Sequence, residues 1–189
     1  MTSLLQLPAD LPAPRDDGAA DHLPCLHLPD LVLPASDATQ VALARFTGRI
    51  VIYCYPMTGR PDVPLPEGWD MIPGARGCTP EACAFRDHYS ELRAAGVHAV
   101  YGLSTQASMF QHEAAQRLHL PFLLLSDADL AVQSALRLPT FVGAGMTLLK
   151  RLTLVVDAGK ITHVFYPVFP PDTHAAQVVA WLESHPLCG

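Results

Sequence analysis

The segment Arg49-Ile50-Val51-Ile52-Tyr53-Cys54-Tyr55-Pro56 does most to restrict what this chain can fold into. Its unbroken run of apolar, β-branched and aromatic residues is the pattern of a strand buried on both faces. Such a strand sits mid-sheet and needs a covering layer on each side, which calls for helices that return over parallel strands. The rest of the chain supplies them in order. Leu31 to Leu33 is expected to form a strand, and 36–48 a loop or short turn of helix. Ala82, Phe85, Tyr89 and Leu92 recur at helical steps and predict an amphipathic helix from Thr79 to about Ala95, ended by Gly96. Val97 to Leu103 is the next strand, and Ser108 to His119 a helix that stops before Pro121. Phe122 to Leu125 is a short strand and Ala128 to Leu136 a helix. Leu152 to Val156 and Ile161 to Phe165 predict a hairpin in which Gly159 permits positive φ. Asp172 to Ser184 is a final helix. The sum is an α/β layer with parallel crossovers and an antiparallel edge pair.

A chain of 189 residues holds one domain with a substantial core. Its prolines cluster in connecting segments. Residues 1–22, rich in Pro, Asp and Ala without apolar periodicity, are expected to be mobile or draped over the surface, with the folded domain spanning 23–189. The Pro- and Gly-rich stretch at about 59–74 is longer than ordinary loops, and Trp69 implies that it packs on something. The formal charge is −6 and the twelve Lys and Arg are scattered, which argues against a nucleic-acid partner. No run approaches the roughly 18 apolar residues of a membrane span, and the N-terminus lacks the pattern of a signal peptide, so a cytoplasmic protein is expected.

The chemistry concentrates in Gly77-Cys78-Thr79-Pro80-Glu81-Ala82-Cys83-Ala84-Phe85-Arg86-Asp87. Pro80 is tolerated only in the first turn of a helix, and Thr79 is a reasonable cap, so the helix begins close to Cys78. Unpaired N–H groups and the partial positive charge of a helix start favour a thiolate, so Cys78 is expected to be more acidic and nucleophilic than a free cysteine. On an ideal helix, Cα atoms five residues apart are about 8.5 Å from one another, beyond the roughly 7 Å limit of a disulfide. If Cys78 and Cys83 ever bond, the first turns must unwind, so the pair has the character of a redox couple.

GCTPEACAFRD resembles the active-site segment of the peroxiredoxins, specifically the Q-type group also called bacterioferritin comigratory proteins. Three further stretches agree: Arg49 to Pro56 resembles the strand entering the active-site loop, Leu124-Leu125-Ser126-Asp127 the "LLSD" turn, and Arg151 to Asp157 the "RsTFvID" strand. The match runs from about Leu28 to Leu182. It implies a thioredoxin-like fold, a peroxidatic Cys78 and a resolving Cys83. Arg151 is placed beside the thiolate, where a permanently charged fork of donors can depress the thiol pKa and hold a peroxide oxygen. The family has a proline seven and a threonine three residues before its first cysteine, whereas Ala75 stands at the threonine position here. Pro56 and Thr58 are expected to supply those roles, shielding the thiolate and hydrogen-bonding the peroxide, with the 59–74 insertion bulging away between them and Cys78.

What the resemblance implies is a peroxidase for hydrogen peroxide and organic hydroperoxides, monomeric, recycled by thioredoxin through an intramolecular disulfide, with no metal, flavin or haem. Other readings of the residues stand beside it. Cys78 or Cys83 as plain core residues, Arg151 as a surface ion-pair residue, and zinc bound by Cys78, Cys83 and His88 are the alternatives, although no C-x-x-C occurs. A thiol–disulfide oxidoreductase or a redox-sensing module would use the same pair. Cys54 is expected in the core, and Cys25 and Cys188 have no assigned role.

Overall fold

The computed structural model describes residues 4 and 6–187, so Cys188 lies outside the described residues. Its centre is a five-stranded mixed sheet in the order β5 (Leu123–Ser126), β4 (Val97–Ser104), β3 (Arg49–Cys54), β8 (Leu152–Asp157) and β9 (Lys160–Phe165). The run read from sequence as a doubly buried strand is β3 (Arg49–Cys54), buried at every position. β3 pairs in parallel with β4 (Val97–Ser104), which pairs in parallel with β5 (Leu123–Ser126). On its other side β3 runs antiparallel to β8 (Leu152–Asp157), which continues into β9 (Lys160–Phe165) through a two-residue turn where Ala158 and Gly159 both have positive φ. This is the thioredoxin-like α/β arrangement.

Alternation along β3 divides the interior into two cores. Ile50, Ile52 and Cys54 face a layer containing Leu23, Leu33, Val132 and Leu136. Val51, Tyr53 and Tyr55 face the opposite layer, built on Phe85, Ala114, Val178 and Leu182. That second layer consists of α1 (Cys78–Asp87), α2 (Tyr89–Ala94), α3 (Ser108–Arg117) and α5 (His174–Ser184). Its anchor is Phe85, stacked on Tyr53 with ring centroids 4.5 Å apart and planes 11° from parallel. The stacking fixes α1, and hence its first turn, against the sheet.

Three expectations need amending. The single helix expected from Thr79 to Ala95 is two helices, because His88 leaves helical geometry at φ −92°, ψ 10°, and binds Glu91 through its ring. Thr79 is not the cap. Gly77 is, at φ 105°, and Thr79 lies buried inside the first turn. Only glycine serves at 77, since a Cβ there would stand 2.4 Å from Pro171 Cγ besides being strained by the positive φ. The third difference is a hairpin of β6 (Thr140–Gly143) and β7 (Met146–Leu149), which the sequence expectations did not contain. A small antiparallel pair, β1 (Val32–Pro34) with β2 (Gln40–Ala42), and α4 (Ala131–Leu136) complete the fold.

The 59–74 stretch makes its own small core. Trp69, 3% exposed in a short 3-10 turn, packs with Ala75, Leu148 and Phe141. Towards the N-terminus, Asp17 binds Lys150 and accepts a hydrogen bond from the Tyr166 hydroxyl, and Ala20 and Leu23 are buried in the first core.

Candidate active site

Cys78 is the first residue of α1, and its sulfur lies in a dry place, the residue being 3% exposed. β8 carries Arg151, at its entrance, to the same spot. One guanidinium nitrogen, Nη2, stands 3.2 Å from Cys78 Sγ and donates also to the backbone carbonyls of Gly74 (3.3 Å) and Arg76 (3.2 Å). The other, Nη1, is bound by Glu81 Oε2. Glu81 follows Cys78 by three residues, so both project from one face of α1. Arg151 is thus a clamp: it ties the loop before α1, the sulfur and a carboxylate together by a rigid fork.

The charges in this cluster compete. Burial is the largest influence on the Cys78 thiol and pushes it up. Arg151 and a hydrogen bond from the Met57 backbone N–H pull it down, while the Glu81 carboxylate pushes it up again. The net direction is upward, opposite to the expectation from the helix start alone. The reason is that a helix terminus offers only part of a charge, whereas full desolvation acts on the whole of it. Glu81 itself is pushed up to about 7 by burial, against the pull of Arg151. One fixed cation therefore serves two acids, and protonation of Glu81 leaves Arg151 to the sulfur.

The other predicted residues are placed as follows. Pro56 is buried, and its carbonyl accepts a hydrogen bond from Ser104 Oγ at 2.9 Å. The Thr58 hydroxyl donates to Gln106 Oε1 (3.0 Å), as does the Thr58 N–H (2.8 Å), and Gln106 Nε2 returns a bond to the Thr58 carbonyl. It is Met57, between these two, whose backbone N–H favours the ionised form of Cys78. Ala75, at the position where the family has its threonine, is fully buried and accepts a weak S–H contact from Cys78 at 3.7 Å. Cys83 lies in the same unbroken helix as Cys78, half-buried, and both are free thiols. Cys54 is buried in β3 and Cys25 is exposed. Among the described residues, no group of three or more His, Cys, Asp or Glu could hold a metal ion. No helix among them is long and apolar enough to cross a membrane.

Sequence reasoning missed Glu81, Gln106 and the Met57 amide. Glu81 carried a signal, its three-residue step from Cys78, but its partner lies 70 residues away. The amide carried none.

A cysteine sulfur clamped by an arginine at a helix start, on a thioredoxin-like sheet, defines a cysteine-dependent redox enzyme. Comparison with known proteins narrows the class. The Redoxin family matches residues 26–180. Peroxiredoxin Bcp of Escherichia coli strain K12 is 35% identical over 162 residues, covering 83% of this chain and 93% of that protein. Peroxidoxin BcpB from Mycobacterium tuberculosis superimposes with a TM-score of 0.69 at 27% identity, over 87% of this chain and 98% of its own. A Xanthomonas campestris bacterioferritin comigratory protein, solved for insight into its alkyl peroxide reduction, gives 0.68 at 26% identity over 85% and 97%. The chain belongs to the peroxiredoxins, as a Q-type or bacterioferritin-comigratory member, and is a thiol peroxidase.

Proposed function

We propose that Cys78 is the peroxidatic residue, acting on hydrogen peroxide and alkyl hydroperoxides. The observation that carries this is the 3.2 Å approach of Arg151 Nη2 to Cys78 Sγ. The thiolate attacks the terminal peroxide oxygen in line with the O–O bond, which breaks. Cys78 becomes a sulfenic acid, and the leaving oxygen departs as water or alcohol once protonated. Arg151 and the Met57 N–H stabilise the charge that passes between the oxygens. Pro56 shields the thiolate from bulk water. Thr58 acts as a positioning residue: with its hydroxyl committed to Gln106, it holds the turn that aims the Met57 amide.

Cys83 then resolves the sulfenic acid. Its thiol condenses with Cys78, water leaves, and a disulfide forms after the first turns of α1 unwind. A dithiol protein of the thioredoxin kind reduces the disulfide by exchange through a mixed disulfide. The reaction needs no metal, flavin or haem, and the enzyme is read as a monomer working in the cytoplasm. The decisive test is the intact mass after one equivalent of peroxide with free thiols blocked. Loss of two protons mapped to the peptide containing Cys78 and Cys83 is expected. Peroxide consumption that survives Cys78→Ser would remove the scheme.

A further inference from the structure

Two hollows meet above Cys78. The outer one, about 500 Å³, is walled by the 59–74 insertion, with Val63, Leu65, Trp69 and Met71 among its apolar groups. The inner one, about 10 Å³, reaches Cys78 between Met57 and Thr79. Leu4, Leu65, Trp69 and Arg76 border both, so these side chains make the neck that stands between them.

Gly59, which lines the inner hollow, packs closely against two of these side chains. A Cβ built there would lie 3.0 Å from Leu65 Cδ2 and 3.1 Å from Leu4 Cδ2, tighter than ordinary contact. Trp69, buried against Phe141 at 6.3 Å between centroids, backs the wall and cannot swing aside cheaply. The inner hollow has about the room one water molecule needs. The outer volume falls within the roughly 300–1,000 Å³ of small-molecule sites, far more than hydrogen peroxide requires.

We infer that the insertion is a specificity filter: the neck passes hydrogen peroxide and hydroperoxides of unbranched primary alkyl chains, and rejects those on a tertiary carbon. This rests on the peroxidase reading of Cys78. In the attack, sulfur and the two oxygens stand in line, so the carbon bearing the leaving oxygen stands at the neck. A primary carbon brings one chain through it, and that chain lies along the apolar outer groove. A tertiary carbon brings three branches to a space already occupied by Leu65 and Leu4. The O–O bond breaks as before and the alkoxide leaves as the alcohol.

The test uses the isomers n-butyl and tert-butyl hydroperoxide, with hydrogen peroxide as internal reference and dithiothreitol as reductant for the full chain. The wild type is expected to favour the n-butyl isomer by about 10- to 100-fold in kcat/KM. Leu65→Ala should raise the rate on tert-butyl hydroperoxide about tenfold and leave that on hydrogen peroxide unchanged. Equal rates on the two isomers, with hydrogen peroxide still reduced, would overturn the filter and leave the peroxidase reading intact. No reduction of hydrogen peroxide by the wild type would sink that reading instead, and the filter with it. Should Leu65→Ala lose hydrogen peroxide activity through misfolding, Gly59→Ala decides. Its added methyl narrows the neck, so a larger n-butyl preference supports the filter, and an unaltered ratio rejects it.

Discussion

The first turn of α1 and the turn that carries Cys83 belong to one helix, yet they hold their sulfurs in opposite ways. At Cys78 the chain encloses the sulfur and brings a guanidinium to it from 73 residues away. Cys83 is half-buried near the surface, where Arg86 and Arg117 pull its thiol down and Asp87 opposes them. Burial pushes both thiols up. What separates them is the kind of charge set against burial. A desolvated, clamped arginine acts more strongly on its neighbours, whereas charges partly open to solvent are screened by water and salt. The buried end thus holds a sulfur facing a fixed cation, and under the proposed function Cys83 comes into play only when the helix opens.

The largest expected effect tests that division of labour. Cys83→Ser should give one fast turnover with peroxide and then stall when thioredoxin is the reductant, seen by stopped-flow as a stoichiometric burst. Steady cycling would place resolution elsewhere and make the two turns of α1 functionally unrelated. Next comes the clamp. Arg151→Met leaves Glu81 buried without its partner, which costs about 3–5 kcal/mol of stability, and removes the charge beside the sulfur. Peroxide-driven oxidation of Cys78 should fall by about 100-fold or more, measured as the sulfenylation rate under conditions where circular dichroism shows the variant folded. A loss confined to stability would mean that the arginine only glues the loop to the sheet.

His174 extends the comparison to the back of the helix. It is 1% exposed at the start of α5, its Nε2 lies 2.8 Å from Thr153 Oγ1, and its ring meets Phe85 edge-on. Burial lowers its pKa to about 4, with Arg151 pushing in the same direction and Gln177 opposing. A histidine pKa lower in the folded than in the unfolded chain makes the unfolded state the better proton binder. The stability it supports is complete above about pH 6.5 and is lost as the pH falls towards 4. The loss is about 3 kcal/mol over that window. Denaturant titrations at pH 7 and pH 4 should show it, and His174→Gln should flatten the difference. A variant that keeps the full acid sensitivity would assign it to other groups.

Much of this layout is legible in the sequence alone. Pro80 fixed the helix start within a residue, and the unbroken apolar run of β3 fixed the centre of the sheet, because both signals are local. Other features were not legible, for reasons that can be named. The β6–β7 hairpin has four-residue strands, too short for a period to show, and it is stabilised by Trp69 from the insertion. The break at His88 leaves the apolar spacing of Phe85 and Leu92 intact, so periodicity alone cannot reveal it. The pairing of Glu81 with Arg151 and the Met57 amide at the sulfur depend on tertiary closure. Ala75 instead of threonine announced a departure from the family's loop, but how Gln106 takes up the Thr58 hydroxyl could only be seen in the fold.

The smallest effect bears on why the buried turn contains a carboxylate at all. Glu81 helps to hold Arg151, yet when ionised it draws on the same positive charge that the Cys78 thiolate needs. With its carboxyl pushed up to about 7, Glu81 shifts between protonated and ionised near neutrality, so its state and that of Cys78 are linked. Glu81→Gln keeps the shape and an oxygen for Arg151 Nη1 but removes the competing charge. The apparent pKa of Cys78 should then fall, and the rate of alkylation by iodoacetamide at and above neutral pH, where Glu81 is ionised in the wild type, should rise a few-fold in a folded variant. An increase in the apparent pKa would show the reverse coupling: that the carboxylate serves the thiolate by aiming the guanidinium, and that orientation outweighs the charge it withdraws.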